Sequence, residues 1–343
     1  MENILKTNNK NSKVRAQDIA KVLKVSASTV SRALSDHPRI SKETKERVKQ
    51  VATRLGYFTG MPEMMNTEKT EAVVVMVPSI ESKIYRQVIS GVTDSLRKNN
   101  YQTFIVDTIG NNDTINSFFT TYKKYGISGV IHIVCKRNLP DDLYSVPVKD
   151  ALPVVTVFEP DSYTGFSSVL PDMFQGIHKL VNYLQSLKFN KIALVLEDED
   201  KPEDAIVISA FETAFEMSKL EKMTLTVLYN EGGCEQEIEQ ILTRKDPPQV
   251  IIAKGTLTAM DIMGISENLG ITIPEDMLLI AMDSDTQTAG LKNNLSLLKI
   301  PAYEMGYEAG EMLIKQINNP DTERRTEVKP VSFILKGSAI RMQ

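Results

Sequence analysis

The chain has no tryptophan, 2 cysteines and 3 histidines among 343 residues, and each scarcity removes a class of chemistry. Cys135 and Cys234 lie far apart without C-x-x-C spacing. Neither a disulfide framework nor a zinc site is indicated, and both read as packing residues. The phosphate, dinucleotide and nucleophile signatures G-x-x-x-x-G-K-[ST], G-x-G-x-x-G and G-x-S-x-G are all missing. His37, His132 and His178 read as structural. The acidic Glu197-Asp198-Glu199-Asp200 lacks EF-hand spacing and its glycine, so it is expected to be a solvated run. No enzyme, cofactor or metal is therefore expected. No stretch approaches the roughly 20 apolar residues of a membrane span, and the longest, Ala72 to Pro78, has the length of a strand. Residues 1–13 are polar, lack the apolar core of a signal peptide and read as a disordered tail, which makes the cytoplasm the expected location.

A chain of 343 residues exceeds one ordinary domain and implies two or three compact units. Its charge is divided unevenly. Residues 1–60 hold 13 Lys+Arg and 5 Asp+Glu, a net +8, which leaves −12 on the rest of a chain whose total is −4. A basic head on an acidic body is the asymmetry expected when one end meets phosphates and the other does not.

Within the head, Ile19, Ala20 and Leu23, then Val30, Ala33 and Leu34, recur at the spacing of two short amphipathic helices. The tight link Lys24-Val25-Ser26 joins them, and Ser26 is a good N-cap, so the second helix starts at Ala27. A third helix follows Ser41, presents Val48, Val51, Ala52 and Leu55 to the same core, and stops at Gly56. The residues Asp18-Ile19-Ala20, Val25-Ser26, Thr29-Val30-Ser31-Arg32-Ala33-Leu34, Arg39-Ile40-Ser41, Glu43-Thr44 and Leu55-Gly56-Tyr57 resemble the headpiece of the lactose-repressor (LacI/GalR) family. The expected partner is then a double-stranded operator.

In such a helix-turn-helix the second helix enters the major groove with its N-terminal residues against base edges. Ala27 and Ser28 become the main readers, the first through a methyl contact to thymine and the second through an undiscriminating hydroxyl. Arg32, one turn later, grips guanine or a phosphate. By the resemblance Ser26, Thr29, Ser31, Arg39, Ser41, Thr44 and Tyr57 contact mainly the backbone, which sets register and salt-sensitive affinity. One departure is Arg15, where a capping Thr or Ser is usual, although Asp18 still suits the helix dipole. A second lies in the hinge at 61–71. Relatives there carry a short helix reading Pro-Asn-x-x-Ala-Arg-Ser-Leu, whereas this chain has Pro62-Glu63-Met64-Met65-Asn66. Met64 or Met65 substitutes for the leucine wedge in the minor groove, or the segment is a plain tether.

From Ala72 onward, strand-like runs (Ala72–Val77, Thr103–Val106, Val130–Val134, Val154–Phe158, Lys191–Leu196, Val250–Ile252, Leu278–Met282) alternate with helical patterns at Tyr85–Lys98, Asp172–Leu187 and Thr256–Leu269. The expected fold is an all-α helix-turn-helix head at 14–60 plus an α/β body at 72–343. The family resemblance makes that body periplasmic-binding-protein-like, with two doubly wound lobes. The chain then crosses between them near residues 170, 301 and 328, which assigns about 72–170 and 301–327 to lobe 1, and about 171–300 and 328–343 to lobe 2. Ligands of such sheets bind beyond the carboxyl ends of the strands, so the interlobe cleft is the expected effector site and hinge closure its response.

Relatives grip their ligand with an arginine before a Gly-Phe pair, an Asn-Asp pair and an aspartate closing a strand. Here the first position falls on Val207, the pair on Gly255-Thr256, and only Asp283 remains. Asp283 reads either as a ligand-binding carboxylate or as a cap on nearby backbone N–H groups. Ser79, Ser82, Tyr85, Asp172 and Lys254 are further rim candidates. The expected effector is a sugar derivative and not a free hexose, and the alternative is a DNA-binding dimer with a non-functional cleft. A homodimer is expected because paired heads match paired half-sites. No heptad repeat follows the last strand, so no tetramer is expected.

Overall fold

In the computed structural model the described residues are 15–34, 37–55, 71–134, 140, 142–158, 165–196, 202–217, 224–229, 235–283 and 294–340. Two compact units divide at residue 70. The tail, Tyr57, Met64, Met65, both cysteines and the acidic run at 197–200 fall outside the described residues.

The first unit has α1 (Ala16–Leu23), α2 (Ala27–Leu34) and α3 (Lys42–Leu55). Its core is small, formed by Ile19, Ala20, Val30, Ala33, Val48 and Ala52. Helix α1 stops at Lys24, whose left-handed backbone (φ 53°) lets its N–H close on the Ala20 carbonyl. The unusual Arg15 start is completed by Asp18, whose carboxylate accepts the Arg15 backbone N–H at 2.8 Å. That is the reciprocal half of a capping box, formed without a capping hydroxyl.

The second unit contains two six-stranded sheets. Sheet 1 comprises β1 (Ala72–Val77), β2 (Gln102–Asp107), β3 (Ile127–Ile133), β4 (Val154–Val157), β5 (Ser167–Asp172) and β11 (Thr326–Pro330), in the order β2-β1-β3-β4-β5-β11. Sheet 2 comprises β6 (Lys191–Leu196), β7 (Thr224–Tyr229), β8 (Val250–Lys254), β9 (Leu278–Asp283), β10 (Ser296–Lys299) and β12 (Ser332–Ile334), in the order β7-β6-β8-β9-β10-β12. Every pairing is parallel except β10 with β12. The continuous apolar runs explain this. β1 and β9 are buried at all six positions, as strands covered by helices on both faces must be, whereas the edge strands β2 and β7 are half exposed. Both sheets reverse direction after their first strand, between β1 and β3 and between β6 and β8, which opens a crevice at each carboxyl end.

Helices cover these sheets. In lobe 1, α4 (Lys83–Lys98) buries Tyr85, Val88, Val92 and Leu96 on one stripe. Across it lies the helix Ala302–Asn318, and the two backbones meet at glycine: a Cβ on Gly306 would stand 2.0 Å from the Val88 carbonyl oxygen. In lobe 2, the helices Met173–Ser186 and Pro202–Met217 pack on the Leu194 face, while Glu235–Thr243 and Thr256–Asn268 cover the other.

Strand pairing fixes where two of the crossings between lobes fall. Sheet 1 keeps β5 to Asp172, and β11 pairs with β5 as far as Pro330 opposite Asp172. Val328 is therefore inside lobe 1, opposite Leu170, and the third crossing is at Val331. Backbone pairing decides this, since an edge strand with alternate exposed residues carries little apolar signal. The crossings pack closely: a Cβ on Gly176 would come within 2.5 Å of Val331.

Candidate DNA-reading face and interlobe cleft

The head builds its candidate face on the side of α2 that the core leaves free. Val30 and Ala33 are buried, so the 3.6-residue period turns Ala27, Ser28, Ser31 and Arg32 outward together, and all four are exposed. Ser26 caps the helix by accepting the Thr29 N–H at 3.1 Å, and its hydroxyl lies 2.8 Å from those of both Ser28 and Thr29. The same device starts α3: Ser41 accepts the Thr44 N–H at 3.2 Å, with the two hydroxyls 2.8 Å apart. Hydroxyl groups thus cluster at the N-termini of two helices, where exposed N–H groups and the dipole favour an anion. In the turn between α2 and α3, Arg39 is exposed and its N–H donates to His37 Nδ1 at 3.2 Å.

Within the second unit, the carboxyl ends of β1 and β9 face each other. Lys83, the first residue of α4, places its ammonium 3.1 Å from Asp283 Oδ2 at the end of β9. The same oxygen accepts the Thr256 backbone N–H at 3.1 Å and the Thr256 hydroxyl. Deeper in lobe 2, Lys254 at the end of β8 pairs with the fully buried Asp204 at 2.5 Å. On lobe 1, Phe158 sits at the end of β4 with φ 71°, buried, its ring 6.2 Å from that of Tyr85.

The structure assembles the expected cleft residues unevenly. Thr256 and Asp283 meet directly, with Gly255 beside them at φ 86°, its N–H on the Met282 carbonyl. Val207 is a side chain of the lobe 2 core and Tyr85 of the lobe 1 core. Asp172 caps the helix Met173–Ser186 by accepting the Gln175 N–H at 2.9 Å, and Ser79 accepts the Glu81 N–H at 3.2 Å. Ser82 holds the N-cap position of α4 without a side-chain cap bond. Sequence reasoning missed Lys83, Asp204 and Phe158. Lys83 alone left a trace, a cation in the first turn of a helix where the dipole disfavours it.

His132 is wholly buried in lobe 1. Its Nδ1 lies 2.6 Å from the Tyr144 hydroxyl, and burial pushes its pKa down to about 4. Among the described residues no group of three His, Cys, Asp or Glu converges on a metal-sized site, and no helix is long and apolar enough to cross a membrane.

A three-helix head with a reading face and a two-lobed α/β body with a cleft define a DNA-binding regulator built on a binding-protein frame. The sequence model "Bacterial regulatory proteins, lacI family" matches residues 16–59, and "Periplasmic binding protein-like domain" matches residues 181–339. The HTH-type transcriptional repressor CytR of Escherichia coli K12 is 23% identical over 327 residues, covering 94% of this chain and 95% of the relative. Among solved structures, a LacI family regulator from Enterococcus faecium with bound ribose has a TM-score of 0.67 at 22% identity, covering 80% of this chain and all of that one. The Lac repressor dimer bound to operator and the anti-inducer ONPF has a TM-score of 0.71 at 15% identity, covering 96% and 100%. The chain belongs to the lacI family of bacterial transcription regulators, its head matching that family's own model and its body the periplasmic-binding-protein-like domain. Its relatives are regulators and not enzymes.

Proposed function

We propose that this chain is a cytoplasmic repressor that binds a pseudo-palindromic operator as a homodimer and changes its DNA affinity when a small molecule enters the interlobe cleft. The observation that carries the reading is the exposed set Ala27, Ser28, Ser31 and Arg32 on a capped helix of a basic head. In the major groove the methyl of Ala27 and the hydroxyl of Ser28 meet base edges at the helix start. Arg32 forks onto guanine, while Ser26, Thr29, Ser31, Arg39, Ser41 and Thr44 hold phosphates. Tyr57, Met64 and Met65, outside the described residues, extend the contact.

For the cleft, the proposed effector is a sugar derivative with a charged group, such as a phosphate, and not a free hexose. Val207 cannot supply the forked donors of an arginine, and Asp283 already accepts bonds from Thr256 and Lys83. An unmatched ligand hydroxyl in a closed cleft costs about 1–3 kcal/mol. The bonds that already occupy Asp283, together with the Lys254–Asp204 ion pair, favour a second reading, a cleft that takes no ligand.

Selection of bound sequences from random DNA, then a screen of free and phosphorylated sugars for release, tests both levels. A two-fold-related consensus released by a phosphorylated sugar is expected. Enrichment of no sequence overturns the DNA reading. Micromolar calorimetric binding of free glucose, galactose or ribose, undiminished in Asp283→Ala, overturns the cleft assignment.

A further inference from the structure

We propose that Lys83 and Asp283 form a latch that draws the two lobes together without any ligand. The pair joins residues 200 positions apart, one at the start of a lobe 1 helix and the other at the end of a lobe 2 strand. Its two halves differ in mobility. The Asp283 side chain is 6% exposed and fixed by both donors of Thr256, so little freedom remains for it to lose. The Lys83 side chain is 34% exposed and reaches across the cleft on a flexible stem. An ion pair with one partner dry and pre-positioned avoids much of the ordering cost that makes ordinary surface pairs weak.

Lys83 is also poorly placed by its own helix. It occupies the first turn of α4, which holds no acidic residue, and its N-cap Ser82 makes no side-chain cap bond. A cation there faces the positive end of the helix dipole, and the compensating carboxylate is on the other lobe. Among the described residues, the other ion pair between lobes, Lys299 with Glu304 at 3.9 Å, flanks a chain crossing. Lys83 with Asp283 joins the start of α4 in lobe 1 to the end of β9 in lobe 2. Removal of Lys83 leaves Asp283 with both Thr256 donors, so no buried carboxylate is stranded and the lobes keep their folds.

The test uses the full chain without ligand, carrying a donor and an acceptor dye on non-natural residues at the exposed positions Ser90 and Glu267, in excess unlabelled chain so that one chain per assembly reports. Lys83→Met is expected to raise the population with the longer interlobe distance about five-fold, equivalent to about 1 kcal/mol. Lys83→Arg is expected to restore the short distance. Lys83→Met combined with Asp283→Asn should open the lobes no further than Lys83→Met alone. Raising salt from about 0.1 M to about 1 M, which cuts the screening length from about 10 Å to about 3 Å, should open the wild type and leave Lys83→Met unchanged. Equal distances in wild type and Lys83→Met, or additive effects of the two substitutions, overturn the latch. If Lys83→Met fails to fold by circular dichroism, a wild-type distance that ignores salt overturns it equally.

Discussion

The head and the body hold their working side chains in opposite ways. The head is built on a six-residue aliphatic core, and its candidate contacts stand on the outside. The body buries two sheets on both faces, and its candidate contacts are engaged with one another, Lys83 and Thr256 with Asp283, and Lys254 with Asp204. Electrostatics accounts for the difference. Water screens and solvates the exposed hydroxyls and cations of the proposed DNA-reading surface, whereas a charge buried in the cleft must be matched by the chain itself. The head therefore risks instability, and the body risks occupying its own site.

The largest effect expected from breaking this contrast is in the small core. Ile19→Ala should cost about 2–5 kcal/mol, a large share of what so small a unit has. Operator binding should vanish while the body melts as before, which calorimetry on the full chain would show.

Next comes a property of the body alone. His132 has an ordinary pKa of 6.5 and a folded value of about 4 because burial penalises its charged form. Stability from this group is complete above pH 6.5 and is lost as pH falls towards 4, because the unfolded chain takes up the proton first, for a total of about 3 kcal/mol. Urea unfolding of wild type and His132→Leu between pH 7 and 4 should show the steeper loss in wild type. Parallel curves would mean that His132 is not buried neutral.

A smaller change tests the glycine crossing. Gly306→Ala places a Cβ on the Val88 carbonyl, so the two lobe 1 helices must separate at a cost of about 1–3 kcal/mol, read as a lower urea midpoint with the head unaffected. Finally, within the head, Arg32→Ala should weaken operator binding by about 1–3 kcal/mol and relax one base position. Arg39→Ala should weaken all sequences alike and lower the salt slope by about one. Equal losses by both variants on operator and random DNA would remove the reading role of Arg32.

The head was legible in advance because its signals are local. The start of α2 at Ala27 follows from the Ser26 cap, and its outward face from the period of Val30 and Ala33, all within about two turns of each other. The body was legible where strands are central. Apolar runs mark β1, β6 and β9, whereas β5, β7, β10, β11 and β12, being short, polar or at an edge, carry no such signal. In the cleft, Asp283 meets Thr256 and Lys83, whereas Val207 and Tyr85 lie in the lobe cores.

By itself, then, the sequence determined the family, the helix caps, the basic head and the alternation of strand and helix, since each rests on neighbours within a few residues. Tertiary structure alone decided that β11 stays with lobe 1 to Pro330, that Asp204 lies beneath Lys254, and that Lys83 meets Asp283 across the cleft. Such contacts join residues far apart in the chain and leave no periodicity behind. They arise only when two sheets, each reversing its strand order, bring their carboxyl ends within one lysine's reach.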